Sequence, residues 1–219
     1  MVLNKDDLIK VEFKNVAKQF GERVILKDLS LKIPAGKTVV ILGGSGTGKS
    51  VSIKCLLGLL SPDKGDILVD GKSVVSLKEN DQYDLMKKFG MLFQFGALFD
   101  SLTNWENVSF ALIEQGMDKV KAKKVAIEKL ALVGLGKHVA DLMPAEISGG
   151  MKKRVSLARA ICTNPEIVLY DEPTTGLDPI TADTIDRLIV ELRDNLKITG
   201  IAITHDMQSA FKIADYIAL

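Results

Sequence analysis

Gly43-Gly44-Ser45-Gly46-Thr47-Gly48-Lys49-Ser50 follows directly on the apolar run Thr38-Val39-Val40-Ile41-Leu42. The spacing G-x-x-x-x-G-K-S is complete, and it lies after a strand and before a helix, where a phosphate-binding loop belongs. Glycines let successive backbone N–H groups turn inward around phosphate oxygens. The start of the following helix adds free N–H groups and the positive end of its dipole. In such a loop Lys49 reaches the β- and γ-phosphates, and the Ser50 hydroxyl ligates Mg²⁺. The candidate nucleotide contacts are therefore the eight residues quoted together with Val51.

Outward from this loop the chain alternates between two periods. Apolar strand patterns recur at residues 11–16, 29–33, 38–42, 66–69, 90–93, 167–171 and 200–204. Ile53, Leu56, Leu57 and Leu60 follow helical spacing behind the loop, and Ile127, Leu130 and Ala131 share a side of a second helix. Ile185, Leu188, Ile189, Leu192 and Leu196 form the clearest stripe, with Asp186, Arg187 and Arg193 off it. Alternating strands and helices predict an α/β fold with a largely parallel sheet covered on both faces. Residues 104–133 read as a helical insertion without a strong strand. The lysine-rich stretch 119–124 reads as a solvated helix face. No internal repeat or low-complexity linker is present.

A chain of 219 residues suffices for one large α/β domain or two small ones, and 47% hydrophobic content supports a substantial core. Lys and Arg number 29 against 28 Asp and Glu, a net charge of +1, so the global basic footprint of a nucleic-acid binder is missing. No apolar run approaches the ~20 residues of a membrane-spanning helix. The N-terminus is charged and has no secretory apolar region. Cys55 and Cys162 lie in helical apolar patterns and read as core residues of a reducing compartment. A cytoplasmic protein is expected, acting at a membrane only through a partner.

Two further segments bear on phosphate chemistry. Ile167-Val168-Leu169-Tyr170-Asp171-Glu172 is an apolar strand ending in two carboxylates. Ligands of such sheets sit beyond the carboxyl ends of strands. Asp171 is then placed to hold the Mg²⁺ shell, and Glu172 to orient or deprotonate a water aimed at the γ-phosphate. Ile147-Ser148-Gly149-Gly150-Met151 precedes a helix carrying Val155, Leu157, Ala158 and Ile161. Ser148 is a good N-cap, and the two glycines expose N–H groups at a positive helix end. One chain thus carries two phosphate-binding helix starts.

With these residues the whole chain resembles the nucleotide-binding subunit of ATP-binding cassette (ABC) transporters. Residues 147–151 resemble the family's signature, with Ile147 and Met151 replacing the usual Leu and Gln. Asp171 and Glu172 match the second Walker motif and the catalytic glutamate. Gly176-Leu177-Asp178 resembles the D-loop, His205 the switch histidine and Gln94 the Q-loop glutamine. Phe20 sits where the family places an aromatic against adenine. The resemblance implies a P-loop NTPase (RecA-like) core with an N-terminal antiparallel β subdomain and an inserted α-helical subdomain. It makes residues 1–219 a single domain, with about 1–94 and 156–219 as the core and about 95–155 as the helical part.

It further implies ATP and Mg²⁺ as cofactors, with Ser50, Gln94 and Asp171 around the metal. Glu172, His205, Gln94 and Lys49 are the implied catalytic group. A head-to-tail homodimer would hold ATP between Lys49 of one copy and Ser148, Gly149 and Gly150 of the other, with Asp178 near the junction. The stretch Phe93-Gln94-Phe95-Gly96-Ala97-Leu98-Phe99-Asp100-Ser101-Leu102 resembles the Mla/Mce lipid-transport branch. That branch implies phospholipid transport through a transmembrane permease, an apolar groove at Phe95, Leu98 and Phe99, and a place on the cytoplasmic face of the bacterial inner membrane. A Mce-type substrate-binding protein and a small regulatory protein are further implied partners; nucleic acid is not. Other importers or exporters, such as amino-acid uptake systems, and soluble ABC ATPases are the alternatives. The family continues beyond a strand resembling residues 215–219, so a C-terminal truncation is expected.

Overall fold

Alternating apolar residues build a long antiparallel hairpin from β1 (Ile9–Phe20) and β2 (Arg23–Pro34) in the computed structural model, which describes residues 8–44, 46–75 and 77–219. Ser45, one of the expected phosphate contacts, lies outside the described residues. Val11, Phe13 and Val16 are buried while Lys14 and Asn15 are exposed. Both strands run further than the apolar pattern predicts, because register shifts admit the charged positions without ending the pairing. β3 (Thr38–Leu42) belongs to a second sheet and feeds α1 (Lys49–Leu56). β4 (Lys64–Val69) and β5 (Lys72–Ser73) return to the first sheet, ordered β2-β1-β4-β5. α2 (Glu79–Met86) leads into β6 (Phe89–Leu92).

The expected helical insertion is two helices, α3 (Asn104–Glu114) and α4 (Lys119–Leu132). The break has a local cause. Gly116 takes φ +89°, and Asp118 caps α4 by accepting from the N–H groups of Val120 (3.0 Å) and Lys121 (3.2 Å). Leu130 is buried and Ile127 packs beside it, but Ala131 is exposed. The buried side of α4 instead runs through Ala122, Ala126, Lys129 and Leu130, because it faces α3 and α5 (Gly149–Ala160).

The remaining elements are β7 (Ile167–Asp171), α6 (Pro179–Leu196), β8 (Thr199–Thr204), α7 (Met207–Ile213) and β9 (Tyr216–Ala218). The second sheet has the order β6-β7-β8-β3-β9, and every pairing in it is parallel. Val168 and Tyr170 join the core under α3 to α7, while Ile167 and Leu169 join the core shared with α1 and the first sheet. Both faces are therefore covered, and each fully buried Ile or Leu contributes about 1.5–3 kcal/mol. Asp186, read as off the buried stripe of α6, is only 2% exposed. α7 packs across it, and Ser209 Oγ donates to its carboxylate at 2.5 Å.

Candidate functional site

Parallel register sets three strand ends level. Leu42 at the end of β3 pairs with Thr204 at the end of β8, and Ile203 pairs with Asp171 at the end of β7. Gly43, His205 and Glu172 therefore leave the sheet side by side, at its carboxyl edge. A cleft of about 650 Å³ opens there, lined by Gly44, Gly46, Gly48, Lys49, Ser50, Val51, Gln94, Asp171, Glu172 and His205. Arg23, Ile25 and Ile203 complete its wall.

The loop's shape depends on glycine at a defined point. Gly48 takes φ +95°, and a Cβ there would lie 2.9 Å from both the carbonyl oxygen of Ile25 and Cδ2 of Leu26. The loop is thus seated on β2 at backbone distance. No side chain among the described residues caps the start of α1, which leaves its first N–H groups available to a ligand. Thr47 Oγ1 donates to the Gly44 carbonyl at 3.0 Å. Lys49 Nζ donates to the carbonyls of Gly43 (2.5 Å) and Gly44 (2.7 Å), which holds its ammonium across the loop.

The acid pair is held by many contacts. Glu172 takes φ +47°, a left-handed conformation that costs about 1–2 kcal/mol in a non-glycine residue. Its N–H donates to Ile203 O at 2.9 Å. Its carboxylate accepts from Thr175 Oγ1 (3.1 Å) and Thr204 Oγ1 (3.2 Å), and His205 Nδ1 lies 2.9 Å from each of its oxygens. Burial pushes the Asp171 carboxyl up, and the Glu172 charge adds to this, against Lys153 and Lys49. Ser50, Gln94 and Asp171 offer a hydroxyl, an amide and a carboxylate among the residues that line the cleft. That oxygen-donor set fits Mg²⁺, which takes one or two carboxylates and fills its shell from water and substrate phosphates.

Lys153 is not legible as a site residue, since it follows the turn at residues 147–151 in a run of three basic residues that gives no local sign of burial. It is 4% exposed. Its ammonium donates to the carbonyls of Phe93 (3.2 Å), Gln94 and Glu172 (3.4 Å). Burial pushes its amine down to about 8, with Asp171 and Glu172 pulling it back.

Other sequence-predicted residues stand apart from the cleft. Phe20 is half exposed, with Lys18 Nζ 5.5 Å from its ring centre; Arg23 and Ile25 of the same hairpin line the cleft instead. Ser148, Gly149 and Gly150 open α5 on the surface, with Ser148 Oγ accepting from Met151 N at 3.2 Å. A Cβ on Gly150 would lie 2.6 Å from Thr181 Cγ2. Asp178, in the same neighbourhood, caps α6 by accepting from Ile180 N (3.1 Å), Thr181 N (3.0 Å) and Thr181 Oγ1 (2.5 Å).

A second cleft of about 450 Å³ shares Ser50, Asp171 and Ile203 with the first and is otherwise mostly apolar, lined by Ile53, Leu57, Leu59, Met86, Phe89, Met91 and Phe93. The expected groove residues lie elsewhere. Phe95 is 84% exposed, Leu98 packs on the helical core, and Phe99 stacks on Phe110 with ring centres 4.9 Å apart.

Comparison with known proteins identifies the family. The ABC transporter family profile matches residues 26–175. The "Probable ribonucleotide transport ATP-binding protein mkl" of Mycobacterium leprae is 41% identical over 212 residues, 96% of this chain. The chain spans 61% of that relative's length. The "Intermembrane phospholipid transport system ATP-binding protein MlaF" of Haemophilus influenzae is 41% identical over 207 residues, 94% of this chain and 78% of the relative. Among solved structures, a dimeric bacterial ABC transporter cassette, MJ0796, superposes with TM-score 0.84 at 33% identity, over 94% of this chain and 92% of that one. Its post-hydrolysis dimer bound to ADP and Pi superposes with TM-score 0.81 at 33% identity, over 95% and 96%.

Proposed function

The chain belongs to the ABC transporter family, and from that premise we propose that it is the ATP-binding and ATP-hydrolysing subunit of a transporter that moves phospholipid or a related lipid between bacterial membranes through a separate permease. The observation that carries this reading is the single cleft in which Lys49, Ser50, Gln94, Asp171, Glu172 and His205 meet. Lys49 and the start of α1 bind the β- and γ-phosphates. Mg²⁺, held by Ser50, Gln94 and Asp171, supplies neutralisation of phosphate charge when bound. Glu172 takes the proton of the attacking water, and His205, already in contact with its carboxylate, orients it.

The exposed start of α5 supports a head-to-tail pair of copies, each capping the other's γ-phosphate. The dimeric state of the cassette superposed above supports the pairing of two copies. The apolar cleft beside the phosphate site, with Leu59, Met86 and Phe93 partly exposed, suits a short apolar helix of the permease. Such docking puts the chain on the cytoplasmic face of the inner membrane. A Mce-type binding protein and a small regulatory protein complete the proposed assembly. No helix among the described residues is long and apolar enough to cross a membrane.

The lipid substrate rests on the name of the Haemophilus relative and on the run from Phe93 to Leu102. The mycobacterial relative's name favours ribonucleotide as the second reading. The two separate when the protein is purified from membranes with its permease and reconstituted in liposomes. ATP-dependent transfer of a fluorescent phospholipid is expected; ATP-dependent uptake of ribonucleotide without lipid transfer overturns the lipid reading.

A further inference from the structure

Lys153, Ser156 and Arg159 stand three residues apart on α5 and share one face. That face grips the segment after β6 by its carbonyls. Lys153 holds Phe93 and Gln94, Ser156 Oγ donates to Gly96 O at 3.0 Å, and Arg159 donates to Gly96 O and Ala97 O at 2.7 Å each. Lys153 alone also reaches the acid end of β7, at the Glu172 carbonyl, 3.4 Å away. A lysine 4% exposed is rare unless carbonyls and opposite charges compensate its desolvation. Here both compensating groups are functional segments, the turn at Gln94 and the left-handed turn at Glu172.

We propose that Lys153 is a positioning residue for hydrolysis, clamping the backbones of Gln94 and Glu172 into one geometry set by the helix that begins at Ser148. It touches no substrate atom and acts through Glu172. The proposal rests on the reading of Glu172 as the general base. Glu172 sits on a strained backbone, and its carboxylate must stand within hydrogen-bond reach of one water, so small displacements are costly.

The test is Lys153→Met, measured for MgATP affinity by calorimetry and for steady-state turnover, alone and combined with Glu172→Gln. Turnover is expected to fall ~10- to 100-fold, with affinity within about twofold and less than about a twofold further loss in the Glu172→Gln background, as for residues acting as one unit. Three results overturn the proposal: unchanged turnover, a parallel loss of affinity, or an undiminished loss in the double variant. If Lys153→Met does not fold, Lys153→Gln, which keeps a shorter donor, is expected to show a smaller loss of turnover at unchanged affinity, and either no loss or a parallel loss of affinity overturns the proposal. Glu172→Gln alone tests the reading underneath. Normal turnover there removes the base itself, whereas a slow Glu172→Gln beside a normal Lys153→Met removes only the clamp.

Discussion

α1 begins behind Gly48, whose left-handed backbone leaves the first N–H groups uncapped. α5 begins behind Ser148, whose hydroxyl already accepts from Met151 at 3.2 Å. Around the first start stand a lysine, two carboxylates, a glutamine and a histidine in one cleft. Around the second the chain provides an exposed surface, a small-residue turn and the cap of a neighbouring helix. The same backbone device therefore occurs twice with different completeness. The first start carries its own chemistry, and in the proposed dimer the second offers dipole and donors to the nucleotide of the other copy.

The largest test of that contrast lies on the α1 side. Glu172→Gln keeps the shape and most contacts of the side chain but removes the base. ATP binding is expected to persist while turnover falls ~10² to 10⁴-fold, measured by phosphate release. Turnover near normal removes Glu172 from the role. Next comes Lys49→Ala. Loss of a charged donor to phosphate costs roughly 1.5–3 kcal/mol, so ATP affinity is expected to drop roughly ten- to hundredfold by calorimetric titration. An unchanged affinity places the phosphates away from this loop.

The two starts also differed in how far the sequence disclosed them. The loop at residues 43–50 was legible because strand, glycines and helix are contiguous, and every element of its physics is local. What lines the opposite wall was not. Arg23 and Ile25 reach the cleft through a hairpin seated on Gly48, a contact between distant segments that no local period encodes. Phe20, at the end of β1 in that hairpin, is half exposed and is not among the residues that line the cleft. α2 is not legible because its sequence, Glu-Asn-Asp-Gln-Tyr-Asp-Leu-Met, has almost no apolar stripe. The burial of Asp186 and Lys153 is illegible for a shared reason. A charge beside a buried stripe reads as solvated until a later helix or loop covers it, here α7 for one and the carbonyls of residues 93, 94 and 172 for the other.

On the α5 side the effects are smaller and fall on assembly. A methyl at Gly150 would stand 2.6 Å from Thr181 Cγ2, well inside the usual carbon contact distance of about 3.5–4.0 Å. Thr181 and the turn at Asp178 must then shift. Gly150→Ala is expected to lower turnover of the dimer about tenfold while the ATP affinity of a single chain stays within about twofold. If affinity falls with turnover, the α5 start serves its own chain's nucleotide and the contrast between the two starts collapses.

The finest test separates two roles of one hydroxyl. Ser148 Oγ caps α5, and in the proposed dimer the same oxygen faces the mate's phosphate. Removing a serine cap costs about 1 kcal/mol as alanine but only a few tenths as glycine, because glycine leaves the helix end open to water. Ser148→Ala should therefore melt lower than Ser148→Gly. If the hydroxyl serves only as a cap, turnover follows the same order and Ser148→Gly is nearly normal. If it also meets the mate's phosphate, both variants lose turnover alike, roughly three- to tenfold for one hydrogen bond of ordinary net strength, about 1 kcal/mol, although the alanine variant loses more stability than the glycine variant. Thermal unfolding beside phosphate release on the two variants decides. The second outcome is expected, because a start that served its helix alone would have no need of the open Gly149 that follows Ser148.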